Sequence, residues 1–195
     1  MSVWVLPSFI SAGASLFLAS FFFLKRKDCP AFVPLIFVMT VMAWIHGLNG
    51  MSQVIEENPI LWKKLILLGE LMLPVVVGYV THTLLHHFSH NPGAFWSGWW
   101  RMIAAGAVIL GMLVMGIPDR FLQINLAGDV VFTRPEGWTL WGFILGALLI
   151  GMFQLEQILQ SFRDPLRYRL KYILIGLGGL ACISIAQAIH LLVVP

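Results

Sequence analysis

Of the chain's 195 residues, 59% are hydrophobic and only 11% charged, against about 45–50% and about 25% in soluble domains, which excludes an ordinary cytosolic globule. At about 20 residues per helical crossing, the length admits six or seven membrane spans with short loops and no sizeable soluble domain. The net charge of +3 and pI near 9.1 come from loop residues that form no patch able to follow a phosphate backbone, so the charge concerns membrane orientation and no nucleic acid is expected as partner.

The first apolar run covers about residues 3–24 and stops at Lys25, Arg26, Lys27 and Asp28. It lacks a small-residue cleavage site followed by a polar mature chain, so it reads as a retained helix rather than a signal peptide. Further runs cover about 30–50, 61–87, 101–117, 138–159 and 168–194. The expectation is an all-α, polytopic bundle of six spans in a single domain. Two cysteines, Cys29 beside a charged loop and Cys182 inside an apolar run, cannot build a disulfide framework.

Lys and Arg are retained on the cytoplasmic side of a membrane. With the N-terminus outside, inner loops hold Lys25, Arg26, Lys27, Arg101, Arg163, Arg167, Arg169 and Lys171, eight of the twelve basic residues. The outer side holds Lys63, Lys64, Arg120 and Arg134. The orientation read from this split is N-terminus out, and six spans then end the chain outside. A seventh helix, continuing the chain or supplied by a partner, would return it to the cytoplasm.

Two connections carry more than a tether. Phe95, Trp96, Trp99, Trp100 and Arg101 form an aromatic cluster of the kind that sits at headgroup depth. Between spans four and five, the β-prone runs 121–125 and 130–133 flank Ala127-Gly128-Asp129, a short extracytoplasmic β-hairpin that could cap the bundle mouth. The fourth span has no ionisable residue between Met102 and Ile117 and reads as lipid-facing support.

Chemistry, if any, lies with polar residues inside the membrane, which are costly there and tend to face the bundle interior. Depth along the spans puts His46, Asn49, Glu70, Gln187 and His190 near the outer face as a candidate ligand-binding or sensing group. His82, Glu156, Arg163 and Arg167 fall near the inner face as a candidate coupling surface. Glu70 is the most informative, about 12 Å along its helix and too deep for its short side chain to snorkel. A proton, a partner or a polar cavity must compensate, unless an interhelical hydrogen bond that only fixes packing does so. Pro74, four residues on, removes a backbone donor. Along the run from Thr81 to His90, His82, His86 and His90 recur at four-residue spacing on one helical face. This pattern suits a solvated interface or pH sensing, and only weakly a metal or haem site built on His82 and His86. No phosphate-cradling glycine loop, nucleophile elbow or paired-cysteine zinc site occurs, so no catalytic set, metal or other cofactor is assigned. Gly176, Gly178 and Gly179 lie in an apolar span, where small residues allow close packing.

One stretch resembles a known family. Leu155-Glu156-Gln157-Ile158-Leu159-Gln160, the basic loop from Ser161 through Arg163, Arg167, Arg169 and Lys171 to Tyr172, and Ile173 to Gly179 together resemble the membrane input region of bacterial sensor histidine kinases. The nearest type is the N-terminal multi-span region of kinases of the PEP-CTERM/exosortase system. The third span from Leu61 to Pro74 and the expected hairpin share the likeness. The resemblance implies a bundle that receives a membrane or envelope cue and passes a helix displacement to a cytoplasmic kinase module, with kinase activity only where such a module follows. The partners it implies are the lipid bilayer, that module or a partner membrane subunit, and a second copy or larger complex. The alternative from a different class is an accessory or anchoring subunit of a larger membrane complex, holding haem through intramembrane histidines.

Overall fold

The computed structural model describes residues 5–27, 32–55, 58–88, 99–116, 122–124, 130–132 and 136–161, and near the C-terminal end 175–176, 178–179 and 182–186. Five long helices carry the architecture. They are α1 (Val5–Lys25), α2 (Phe32–Val54), α3 (Pro59–Phe88), α4 (Trp99–Gly116) and α5 (Glu136–Ser161). Four segments among the described residues are long and apolar enough to cross a membrane: Val5–Lys25, Phe32–Val54, Trp99–Gly116 and Gly137–Ile158. The chain is a helical membrane protein. The third expected span corresponds to α3, which carries Lys63, Lys64 and Glu70 and is not one of those four. The sixth, about 168–194, lies largely outside the described residues, although those between 175 and 186 are helical. Six membrane-spanning helices are therefore more than the structure supports, and α3 differs from the other four in being the helix buried among the rest.

The helix starts have local causes. Asn58 adopts φ 54°, a left-handed conformation that asparagine tolerates better than most residues. Its carbonyl accepts from the amides of Leu61 at 3.0 Å and Trp62 at 3.3 Å. Pro59 follows at the first helical position, where its missing N–H costs nothing. At the far end of α1, the Arg26 guanidinium lies 4.0 Å from the Phe23 ring centroid, a cation–π contact at the helix terminus.

α3 is the centre of the bundle and packs against α2, α4 and α5. Buried positions occur all around it, among them Lys64, Leu67, Leu71, Val77, Val80, Thr81 and Leu84, as expected of a helix enclosed by others. Two apolar clusters share it. One joins Leu35 and Val38 of α2 with Val80 and Leu84 of α3 and Leu155 and Ile158 of α5. The other joins Leu67 and Leu71 with Val114 of α4 and Leu140, Trp141, Ile144 and Leu148 of α5.

α1 packs on α2 and buries only Ala12 and Ala19, seven residues apart, so its large side chains, such as Phe17 and Leu24, face outward. α4 buries Ile103, Ala107, Gly111 and Val114 along one stripe and exposes Met102, Ile109 and Met112 on the other. It is thus one face lipid-directed and one face packed, because its small residues let α3 and α5 approach. An added Cβ at Gly106 would stand 2.6 Å from the Phe143 ring.

Between α4 and α5, strands β1 (Leu122–Ile124) and β2 (Val130–Phe132) pair antiparallel, Gln123 opposite Val131. Both contact α3.

Candidate functional site

A close helix crossing sits beside Glu70. An ideal Cβ on Gly69 would lie 2.7 Å from Ile45 Cγ1 and 2.9 Å from Trp44 Cδ1. Only glycine lets α2 and α3 meet there. Trp44 Nε1 donates to the Leu65 carbonyl across the same seam at 3.0 Å. These two contacts set the register of α2 on α3, and that register brings the next residues on each helix, His46 and Glu70, to one space.

That space is a cavity of about 560 Å³. α2 contributes Met42, Ile45, His46 and Asn49, and α3 contributes Glu70 and Leu73. α5 adds Trp141 and Ile144, and the remaining wall comes from Ile175, Gly176, Gly179, Ile183 and Ser184. The volume falls within the about 300–1,000 Å³ of small-molecule sites, and so does the pattern of apolar walls with a few convergent polar groups. Glu70 Oε2 is buried and accepts no hydrogen bond among the described residues. No lysine or arginine is among the described residues that line the cavity.

Three of the five candidate sensing residues, His46, Asn49 and Glu70, thus share one cavity. Gln187 and His190 lie outside the described residues. Ile183 and Ser184, a turn earlier in the sequence, do reach the wall. Trp141, Ile175, Gly176 and Gly179 are site residues that the sequence reading does not find. Their signal was weak, since an aromatic and two glycines in apolar runs look like ordinary helix packing.

Of the inner candidates, His82 and Glu156 lie among the described residues. His82 is half-buried with its ring 5.8 Å from Trp100, which also lies 5.6 Å from Tyr79. Trp100 therefore packs onto α3 over Gly78, whose added Cβ would be 3.3 Å from Trp100 Cβ, rather than serving only as an interfacial anchor. Glu156 is exposed and accepts from Gln160 Nε2 one turn on at 3.2 Å. Its expected partners Arg163 and Arg167 lie outside the described residues, as do the His86 side chain and His90. Among the described residues no three of His, Cys, Asp or Glu gather as metal ligands would.

A polar pair that sequence reading missed links α3 to α5. Thr81 Oγ1 lies 2.7 Å from Gln154 Oε1 and 2.9 Å from the Gly78 carbonyl, and both Thr81 and Gln154 are buried. The hydroxyl has one proton and gives it to one acceptor at a time. Gln154 stands two residues before Glu156, and its lone amide in an apolar run was the available signal.

The fold and this cavity define a class: a helical membrane bundle with an acid-bearing cavity beside its central helix. Compared with family profiles, curated proteins and solved structures, the chain gives no match.

Proposed function

We propose that the chain is a membrane-embedded input module: its cavity receives a small ligand and the bundle transmits the occupancy to a cytoplasmic signalling partner, of the sensor histidine kinase type that residues 155–179 resemble. The observation that carries this is the gathering of Glu70, His46 and Asn49 on one cavity wall, with Glu70 on the helix that every major packing contact of α4 and α5 involves. A ligand held by Glu70 loads α3 one residue from the close Gly69 crossing, so α2 and α3 respond together. The load reaches α5 through the Val80, Leu84, Leu155 and Ile158 cluster and through the Thr81–Gln154 bond. In this reading the chain sits in the bacterial inner membrane with its N-terminus outside, the β1–β2 ladder lies on the outer side, and α5 delivers the displacement inward at Glu156 and the basic segment after it.

The test is Glu70→Gln in the native host, with the phosphorylation of response regulators as readout. The isostere keeps hydrogen bonding and removes the charge. The expected result is a membrane-assembled protein with altered phosphorylation of at least one regulator, in the same direction as deletion or its opposite. An assembled variant whose phosphorylation pattern equals wild type, while deletion changes it, overturns the proposal.

A further inference from the structure

We propose that the cavity's ligand is an organic cation: a protonated amine on an apolar body, held by Glu70 as its counter-ion. This names the ligand class of the site proposed above and rests on that reading only for its use as an input. The cavity is rich in acceptors and none of its described lining residues is a lysine or arginine, the positive charge that acts on Glu70 being Lys63, two turns earlier on the same helix. Glu70 Oε2 is buried with no donor among the described residues. Pro74 lies four residues on in an otherwise continuous helix and has no N–H, so the Glu70 main-chain carbonyl also lacks its i+4 donor. Asn49 offers an amide oxygen and His46 an imidazole nitrogen on the same wall. An ionised carboxylate buried without a partner is costly, and no described lining residue is cationic. A ligand that brings an ammonium group supplies both the opposite charge and two or three N–H donors, as charge-assisted bonds. The Trp141 indole in the wall can accept a cation over its face, and Ile45, Leu73 and Ile144 suit an alkyl or aryl body. An anionic ligand would meet repulsion from Glu70, and a neutral one could donate a hydrogen bond without bringing the opposite charge.

The same chemistry is presented by a free hydrophobic amine and by the ethanolamine headgroup of a lipid. The full chain is reconstituted in phosphatidylcholine nanodiscs and titrated with octylammonium, octanol and octanoate, read by tryptophan fluorescence with Trp141→Phe as the control for signal origin. Octylammonium should saturate at least ten-fold tighter than octanol, octanoate should give no saturable response, and Glu70→Gln should bring octylammonium to the level of octanol. Repeating the titration with phosphatidylethanolamine in the disc separates the sources. Weakened apparent amine affinity assigns the site to the lipid headgroup, and unchanged affinity assigns it to a free amine. Octanol or octanoate binding as tightly as the amine, or an assembled Glu70→Gln variant that keeps wild-type amine affinity, overturns the cation assignment and leaves the cavity as a receiver of another ligand class. If Glu70→Gln does not assemble, the wild-type comparison of the three ligands decides. Binding of none of the three overturns the assignment, and it overturns the input reading as well if Gly179→Leu also leaves the regulator phosphorylation of the native host at wild type.

Discussion

Gly69→Ala is the substitution whose cost the structure sets most directly. The new methyl would stand 2.7 Å from Ile45 Cγ1 and 2.9 Å from Trp44 Cδ1, about 0.8 Å and 0.6 Å inside the ~3.5 Å lower end of favourable carbon contacts. Neither neighbour is a free end of a flexible chain. Ile45 is buried, and Trp44 is tied to the Leu65 carbonyl. Relief must come from moving α2 off α3, which strains that hydrogen bond and separates His46 from Glu70. Overpacking of this kind costs about 1–3 kcal/mol, against a gain of up to about 1 kcal/mol from replacing glycine by alanine in a helix. Gly146→Ala on α5 isolates the second effect, because nothing lies within 4 Å of its added Cβ. Purified variants unfolded by SDS in mixed micelles should separate in opposite directions, Gly69→Ala below wild type and Gly146→Ala at or above it. Ile45→Ala in the Gly69→Ala background should cost less than the sum of the single changes, since it removes the clashing atom. Equal stability of the two glycine variants, or strict additivity with Ile45→Ala, would refute the close crossing and with it the register that builds the cavity.

Other expectations follow from single contacts. Thr81→Val leaves the buried Gln154 amide without its partner and should destabilise by about 1–3 kcal/mol, while Thr81→Val with Gln154→Leu should recover most of the loss; detergent unfolding of the three variants measures it. Trp44→Phe removes only the indole N–H to Leu65 and should cost about 1 kcal/mol in the same assay, with the ring's packing kept. For orientation, single cysteines at Arg26 and Arg167 in intact cells should resist an impermeant thiol reagent and react after permeabilisation, and labelling of both in intact cells would invert the proposed topology.

Hydropathy located the helices because it depends on length and composition, which need no knowledge of neighbours. The expected runs 3–24, 30–50 and 138–159 match α1, α2 and α5 to within a few residues. The ends moved where local chemistry acts. α3 begins at Pro59, two residues early, since Asn58 and Pro59 start it. α4 begins at Trp99, where Trp100 packs over Gly78 on α3. Residue counting also places groups at a common depth, which is how His46, Asn49 and Glu70 could be grouped without a structure. Rotational phase between helices is a different quantity. It is set by contacts such as Gly69 on Ile45 and Thr81 on Gln154, each pairing residues far apart in sequence, and no periodicity within one helix encodes them. The same gap hid the part of the cavity wall formed by Trp141, Ile175, Gly176 and Gly179.

The central claim is that occupancy of the cavity beside Glu70 sets the signalling state. Gly179 lines that cavity, and an added Cβ there meets nothing within 4 Å among the described residues, so Gly179→Leu puts an apolar side chain at the cavity wall. The deciding measurement is regulator phosphorylation in the native host carrying Gly179→Leu, across growth conditions that change it in wild type. The account predicts an assembled protein whose phosphorylation is held at one level whatever the condition; a wild-type response from that variant would contradict it.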